Sequence, residues 1–392
     1  MSIITASVND GLLTLSAGGR IDTTNADQVA QEIAEARAQY PHDAVVLDID
    51  DLEYISSAGL RAVLKLRKDE PTLKVINASS EVYEIFEMTG FSEMIPIEKG
   101  YRKLSVEGCS IIGKGAKGTV YRLNEDTIVK VYNNPDSLPD IHRERELARK
   151  AFILGVPTAI SYDVVKVGDK YGSVFELLNA KSFSEMIAEN PDKFEEYVKI
   201  TADMLRNIHE TPVKADDMPD VKILIKKWTD TVKDYIAPAE YDKLISLIDA
   251  TPDVLTMQHG DYHTNNIMMQ GDEALIIDMD TLSHGHPIFE LANVYIAYVG
   301  FGLANPKQTE DFIGLPYAVT TEFWNRFLRI YLQTEDEARV NEVEKKVKLM
   351  AFVRLIRHTV RRGISNELEQ KALDIARAGL TELLAEVDTL DF

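Results

Sequence analysis

The hydrophobic pattern of this chain runs out near residue 98 and restarts at Ser105, so the polypeptide has to build more than one core. The first run alternates strands with helices. "IITASV" and "LLTLSA" flank Asn9-Asp10-Gly11, a turn tripeptide between alternating segments, and predict a hairpin. In "TTNADQVAQEIAEARAQY", Thr23 or Thr24 can cap a helix with Val29, Ile33 and Ala36 on one face. "DAVVLDI" is a continuous apolar run, as expected of a strand buried on both faces. "SSAGLRAVLKLRK" reads as a helix, "TLKVINA" as a strand, and "EVYEIFEMTG" as a helix stopped by Gly90. Such alternation predicts one small α/β layer structure.

The join "IEKGYRKLSVEG" holds no Ser/Gly or Pro tract, which predicts two halves held close together. From Ser105 the order changes. "CSIIGKGAKGTVYRLNEDTIVKVY" reads as three successive strands with a glycine-rich first turn, "DIHRERELARKAFILG" as a helix and "SVFELL" as a strand. From Phe183 onward the segments are mostly helical.

Composition removes several classes of function. At 392 residues, 45% hydrophobic and 27% charged, the chain is a multi-domain globular protein rather than a disordered one. A formal charge of −21 argues against nucleic acid or an anionic membrane surface as main partner. The lone Cys109 allows no disulfide framework, and the N-terminus lacks the basic-then-apolar pattern of a secretory signal. The longest apolar run, "VYIAYVGFGLA" from Val294, is too short to span a bilayer and reads as a buried helix. A cytoplasmic protein is expected.

Gly113, Gly115 and Gly118 form G-x-G-x-x-G. A dinucleotide-binding turn would need a helix after it, whereas strands follow here. A glycine loop between strands can fold over a nucleotide's phosphates, or be an ordinary hairpin tip. Lys130, one strand later in "IVKVY", could reach such phosphates. A lysine in a cleft needs a carboxylate, for which the next helix offers Glu144, the preferred partner, and Glu146. Either glutamate could equally belong to a solvated face with Arg143, Arg145 and Arg149.

"MQHGDYHTNNIMMQGDEALIIDMD" gathers carboxylates and amides around a short apolar run. Phosphoryl transfer needs a carboxylate to orient the attacking hydroxyl and oxygen ligands for the metal bridging the phosphates. Asp261 suits the first role, and Asn266 and Asp278 suit Mg²⁺. His259 and His263 are four apart, but Gly260 and Tyr262 speak against the helix that a zinc pair needs, leaving His259 to brace the loop.

Taken in order, these residues resemble the aminoglycoside phosphotransferase and choline kinase branch of the protein-kinase-like fold. "HGDYHTNNI" is similar to its H-G-D-x-x-x-x-N loop, "IIDMD" to its metal-binding aspartate, and "SVFELL" to its hinge, which implies adenine binding by the backbone of Glu176 and Leu178. Two departures stand out: Glu290 in "PIFELAN", where the family usually has an aspartate that braces the catalytic loop, and "YHTNN" where "LHPGN" is commoner. The short stretch between Asp278 and Glu290 leaves little platform for a peptide substrate, and implies a small-molecule hydroxyl instead.

The first run resembles the STAS domain of anti-sigma-factor antagonists through "VVLDIDDLEYISSAGLR" and "VINASSEVYEIFEMTGF". That resemblance implies a protein partner and a phosphorylated serine at Ser57, with Ser56 in place of the acidic residue. The plainer reading is that one of the two merely caps the helix. The expected fold is thus an α/β STAS domain over residues 1–98 plus an α+β bilobal kinase-like domain, its β-rich small lobe at 105–180 and helical large lobe at 181–392. The expected function is an ATP- and Mg²⁺-dependent phosphotransferase with a regulatory STAS part. The alternative is a signalling module whose kinase-like half senses nucleotide or phosphorylates a STAS serine. Finally, "RLIRHTVRRG" places Arg354, Arg357, His358, Arg361 and Arg362 on one late helix. The simpler expectation is that they pair with the protein's own carboxylates, the other that they bind an anion.

Overall fold

The computed structural model describes residues 3–115, 117–178 and 180–392. The first run folds into a five-stranded sheet, β1 (Ile4–Asn9), β2 (Leu12–Ile21), β3 (Ala44–Ile55), β4 (Lys74–Ala78) and β5 (Ile97–Lys99), in that spatial order. Only β1 and β2 are antiparallel; each later pair is parallel. Asp10 (φ 46°) and Gly11 (φ 77°) both adopt the left-handed region that a two-residue hairpin turn requires. Helix α1 (Ala26–Gln39) buries Ala26, Val29, Ile33 and Ala36, the expected face. Neither threonine caps it. The Thr24 hydroxyl donates to the Asp22 carboxylate instead, and Asn25 occupies the cap position while its side chain accepts from the Asp22 N–H.

A second expectation also fails. Strand β3 is not buried on both faces: Val45, Leu47 and Ile49 are buried, while Ala44, Val46 and Asp48 between them are half-covered. A run of apolar residues cannot by itself report which face a helix layer covers. Helix α2 (Ser57–Asp69) is capped by Ser56, whose hydroxyl accepts from the Gly59 N–H at 3.4 Å, so Ser57 is the first helical residue and is exposed. Helix α3 (Ser80–Met88) stops just before Gly90 at φ 75°, as expected.

The three strands expected around the glycine turn form within a six-stranded sheet made of β6 (Arg102–Lys103), β7 (Ser110–Lys114), β8 (Gly118–Arg122), β9 (Thr127–Tyr132), β10 (Asp163–Val167) and β11 (Lys170–Glu176), ordered β6-β10-β11-β9-β8-β7. The join is built into both sheets: β5 closes the first, and β6 enters the second, parallel to β10. Between them, the Gly100 N–H donates to the Ala78 carbonyl at 2.7 Å. Lys103 pairs with Asp50 on β3, Arg102 pairs with Asp163 at 2.9 Å, and Tyr101 packs edge-on against Tyr171.

The chain divides into two compact units. One comprises Met1–Tyr121, Lys130–Pro135 and Asp163–Val174; the other comprises Arg122–Val129, Asp136–Tyr162 and Phe175–Phe392. The second holds the helices α4 (Leu138–Ile153), α5 (Phe183–Glu189), α6 (Phe194–Glu210), α7 (Val221–Asp230), α8 (Pro238–Ala250), α9 (Ile288–Tyr298), α10 (Pro306–Ile313), α11 (Tyr317–Leu332), α12 (Glu337–Arg362) and α13 (Glu367–Glu386). Two small sheets punctuate them: β12 (Lys181–Ser182) beside the hairpin β14 (Ile267–Gln270) and β15 (Glu273–Ile276), and β13 (Met257–Gln258) beside β16 (Ser283–His284). Helix α9 runs through the core with only Asn293 among its eleven residues less than buried, and Tyr298 stacks on Phe323 at 4.5 Å. Among the described residues no helix is long and apolar enough to cross a membrane.

The join supplies the first prediction. A Cβ on Gly100 would lie 2.7 Å from the Asn77 carbonyl oxygen, a backbone atom that cannot swing aside. Gly100→Ala should cost about 1–3 kcal/mol in urea unfolding, and a substitution at Gly108, where a Cβ meets nothing within 4 Å, should not show this clash.

Candidate active site

Strand β13 delivers the chain into His259-Gly260-Asp261, and every backbone group at the first two positions is gripped. Glu290, fully buried in the first turn of α9, accepts the His259 N–H at 2.8 Å on one carboxylate oxygen and the Gly260 N–H at 2.6 Å on the other. Asn293, one turn further along α9, donates to the Gly260 carbonyl at 3.0 Å, and the Thr281 hydroxyl donates to the His259 carbonyl at 2.7 Å. Gly260 is at φ 85°, and a Cβ there would strike the Thr281 carbonyl oxygen at 2.5 Å.

A buried carboxylate needs a counter-charge. Burial pushes the Glu290 carboxyl up, but His209, 2.9 Å away, more than offsets this with help from His259 and the Gly260 N–H, and the group lies below its ordinary range. The other His209 nitrogen meets the Tyr331 hydroxyl at 2.6 Å. His259 accepts the Asp261 N–H on Nδ1 (3.3 Å) and reaches the Ile277 carbonyl with Nε2 (3.1 Å), and so braces the loop.

Asp261 itself projects from this clamp with 46% of its side chain exposed. Burial of the rest would raise its pKa, yet His263 pulls it the other way, followed by His259 and Arg354, leaving it near 2. At 3.8 Å the His263 contact is longer than a hydrogen bond, and the open half of Asp261 lets water moderate all these effects.

Asn266 is buried at the end of the loop, and its amide nitrogen is committed to the Asp261 carbonyl (2.9 Å) and shared with His263 Nε2 (3.3 Å). Its Oδ1 is the part of the amide left over for another role. The Asn266 carbonyl accepts the Ile277 N–H at 2.9 Å, which lays the segment before Asp278 against the loop. Asp278 takes φ 65°, a strained conformation for a non-glycine residue, of the kind kept where a side chain has to be aimed. Asp261, Asn266 and Asp278 are therefore brought together by one loop and one hairpin.

Glu144 and Glu146 lie on the same helix with different fates. Glu144 is buried at 8% exposure, whereas Glu146 is 69% exposed and pairs with Lys150. Glu176 ends β11, and the Leu177 N–H beyond it donates to the Asp126 carbonyl at 2.8 Å, with Leu178 next in line. In the other unit, Gly113 ends β7 with Lys114, Gly115 donates its N–H to the Gly118 carbonyl at 2.9 Å, and Gly118 packs on β9, where a Cβ would lie 2.5 Å from the Val131 carbonyl oxygen. Gly118 thus sets the start of β8 directly against the strand that carries Lys130, whose Nζ lies 5.4 Å from the Tyr132 ring centroid.

A family model described as the phosphotransferase enzyme family matches residues 108–342, and a STAS domain model matches residues 4–104. The chain belongs to the phosphotransferase enzyme family. It combines an N-terminal α/β STAS domain with a kinase-like fold. The putative anti-sigma factor antagonist BtrV of Bordetella bronchiseptica is 38% identical over 92 residues, covering 22% of this chain and 78% of that protein. Among solved structures, a thermostable mutant of aminoglycoside phosphotransferase APH(4)-Ia matches at TM-score 0.49 and 11% identity, over 71% of this chain and 94% of that one. ADP-bound APH(2'')-Ib matches at 0.48 and 16%, over 77% and 98%. A choline/ethanolamine kinase family protein from Mesorhizobium loti matches at 0.45 and 14%, over 71% and 91%. Below a TM-score of 0.5 these likenesses carry no weight beside the family match.

Two supporting groups of this phosphotransferase are not among the residues expected from the sequence. His209 belongs to α6, far upstream of the loop it supports, and no local pattern marks it. Asn293 could have been found, because it stands three residues after Glu290 on one helix face. A further expectation is corrected: Arg354 and Arg357 of α12 do not form ion pairs with carboxylates. Among the described residues Arg354 and Arg357 form no ion pair, and Arg354 Nη1 and Arg357 Nε are buried without a hydrogen-bond partner. Both pack on Trp228, whose ring centroid lies 4.7 and 4.6 Å from the two guanidinium carbons.

Glu290→Gln should destabilise the protein by about 2–4 kcal/mol near neutral pH, because one loop N–H loses its acceptor and His209 its counter-charge. With the folded pKa depressed, the wild-type advantage is fully present above the ordinary glutamate value of 4.5 and is lost as pH falls through the folded value. Paired urea melts at neutral and acidic pH should show the gap between the two proteins narrowing on acidification.

Proposed function

We propose that the chain is an ATP- and Mg²⁺-dependent phosphotransferase acting on a hydroxyl of a small molecule, with the STAS domain serving regulation or partner binding. The single observation that carries this is the clamped loop: Asp261 stands half exposed on a backbone that Glu290, Asn293 and Thr281 hold at four points. Asp261 accepts the hydrogen bond of the acceptor hydroxyl and takes its proton as the new O–P bond forms and the bond to the ADP oxygen breaks. A carboxyl held so low is a weak base, so most of its contribution is orientation, with the proton arriving late.

Asn266 and Asp278 suit Mg²⁺, since one offers an amide oxygen and the other an aimed carboxylate. When bound, Mg²⁺ would neutralise the phosphate charge. Gly113, Gly115 and Gly118 are assigned to the phosphates with Lys130, Glu144 to steadying that lysine, and the backbone of Glu176 and Leu178 to adenine. The burial of Glu144 against the exposure of Glu146 supports that choice of glutamate. Ser57 is assigned as the STAS phosphosite: it is exposed at a helix N-terminus, where an added phosphate is favoured.

Asp261→Asn should abolish turnover while leaving ATP affinity nearly unchanged, whereas Asp278→Asn should damage both. Thermal shift with Mg-ATP for each variant, beside an ATP-consumption screen over hydroxylated metabolites, separates the roles; identical behaviour of the two variants contradicts the assignment. Because the folded pKa of Asp261 is lowered, the base is available throughout the range above about pH 4. An acid limb in kcat/KM near an ordinary carboxylate value should therefore be missing in the wild type and appear in His263→Gln.

A further inference from the structure

The chain carries 64 acidic side chains, yet among the described residues none forms an ion pair with Arg354 or Arg357, and Arg354 Nη1 and Arg357 Nε have no hydrogen-bond partner. Leaving guanidinium N–H groups buried and unpaired is costly, and an indole face attracts their charge without accepting their hydrogen bonds. Burial and the like charges around them also press both guanidiniums toward losing their protons, Arg354 to about 10. A fold that keeps such a pair needs a reason outside the chain.

Their position supplies it. Arg354 is among the charges that act on Asp261. A continuous row of rings joins the two places: His263, 3.8 Å from the Asp261 carboxylate, meets Phe312 at 4.9 Å; Phe312 meets Phe301 at 5.4 Å; and Phe301 meets His358 at 5.1 Å. His358 stands one turn beyond Arg354 on α12. The row is fixed to the loop, since Asn265 donates to the Phe312 carbonyl at 2.7 Å.

We infer that the acceptor is a hydroxylated anion, whose carboxylate or phosphate is bound by Arg354 and Arg357 beside Trp228 while its hydroxyl meets Asp261. This rests on the reading of Asp261 as the base. A planar guanidinium offers paired donors matched to two oxygens of either group, and the unpaired Nη1 and Nε atoms are the donors such an anion would satisfy. The same charges would repel a polycationic acceptor such as an aminoglycoside. Arg354 and Arg357 are thus specificity-determining residues.

The test uses the protein's own reporter. Of its two tryptophans, Trp324 is fully buried and bonded to Glu344, whereas Trp228 is half-buried under the arginines. The full chain is titrated with glycerate, glycerol 3-phosphate, glycerol and gentamicin while tryptophan fluorescence is followed. A saturable change is expected with an anion and not with glycerol or gentamicin. It should disappear in Trp228→Phe, persist in Asp261→Asn, and need about tenfold or more ligand in Arg354→Gln and Arg357→Gln. A response to glycerate alone assigns a carboxylate, and one to glycerol 3-phosphate alone a phosphate monoester. Silence with both anions, a response that survives both arginine substitutions unchanged, or a stronger response to gentamicin overturns the inference. Should Arg354→Gln lose its far-ultraviolet circular dichroism, the more open Arg357→Gln decides. Turnover is not read here, so anion binding without phosphotransfer would contradict only the catalytic reading, and phosphotransfer to a neutral acceptor with silent fluorescence only this one.

Discussion

One buried carboxylate holds the candidate site together. Glu290 receives two consecutive backbone N–H groups and a histidine nitrogen while fully buried. Hydrogen bonds to an ionised acceptor are about twice as strong as neutral ones, and the low dielectric around α9 makes their loss expensive. The strained Gly260 turn, the outward path of Asp261 and the backing of His259 all follow from that grip. The glutamate found where the resembled family commonly has an aspartate spans the distance and satisfies both N–H groups, so the departure in sequence is absorbed by the packing around it.

The chemistry is set against the protein's own charge. Under the reading of Asp261 as the base, a chain of net −21 sets His263, His259 and Arg354 to act on its carboxylate. Together they hold its pKa low and favour the ionised form. The join between STAS domain and phosphotransferase takes part in two sheets: β5 and β6 put consecutive pieces of chain into them, and Lys103 reaches back to Asp50.

Much of this was legible in the sequence because it depends on local rules. Asn9-Asp10-Gly11 announced a hairpin, Gly90 a helix end, and the G-x-G-x-x-G between strands a turn without a helix behind it. The spacing of Asp261, Asn266 and Asp278 was enough to suggest one site, since a short hairpin brings its ends together. What could not be read depends on distant packing. Thr23 and Thr24 had the chemistry of a cap, but Asp22 competes for the same groups. The apolar run of β3 hid an alternating burial, and His209 supports Glu290 from another helix. The arginines of α12 were visible as a cluster, while the missing carboxylates around them were visible only once the helices had packed.

The central claim is that the loop held by Glu290 presents Asp261 to a hydroxyl for phosphotransfer. It is tested most directly by following ATP with ³¹P nuclear magnetic resonance, in the presence of Mg²⁺, wild-type protein and a mixture of hydroxylated acids and sugar phosphates. The account predicts a new phosphomonoester signal growing in step with ADP and missing with Asp261→Asn. ATP that stays intact, or that yields only inorganic phosphate at the same rate in both proteins, would contradict it.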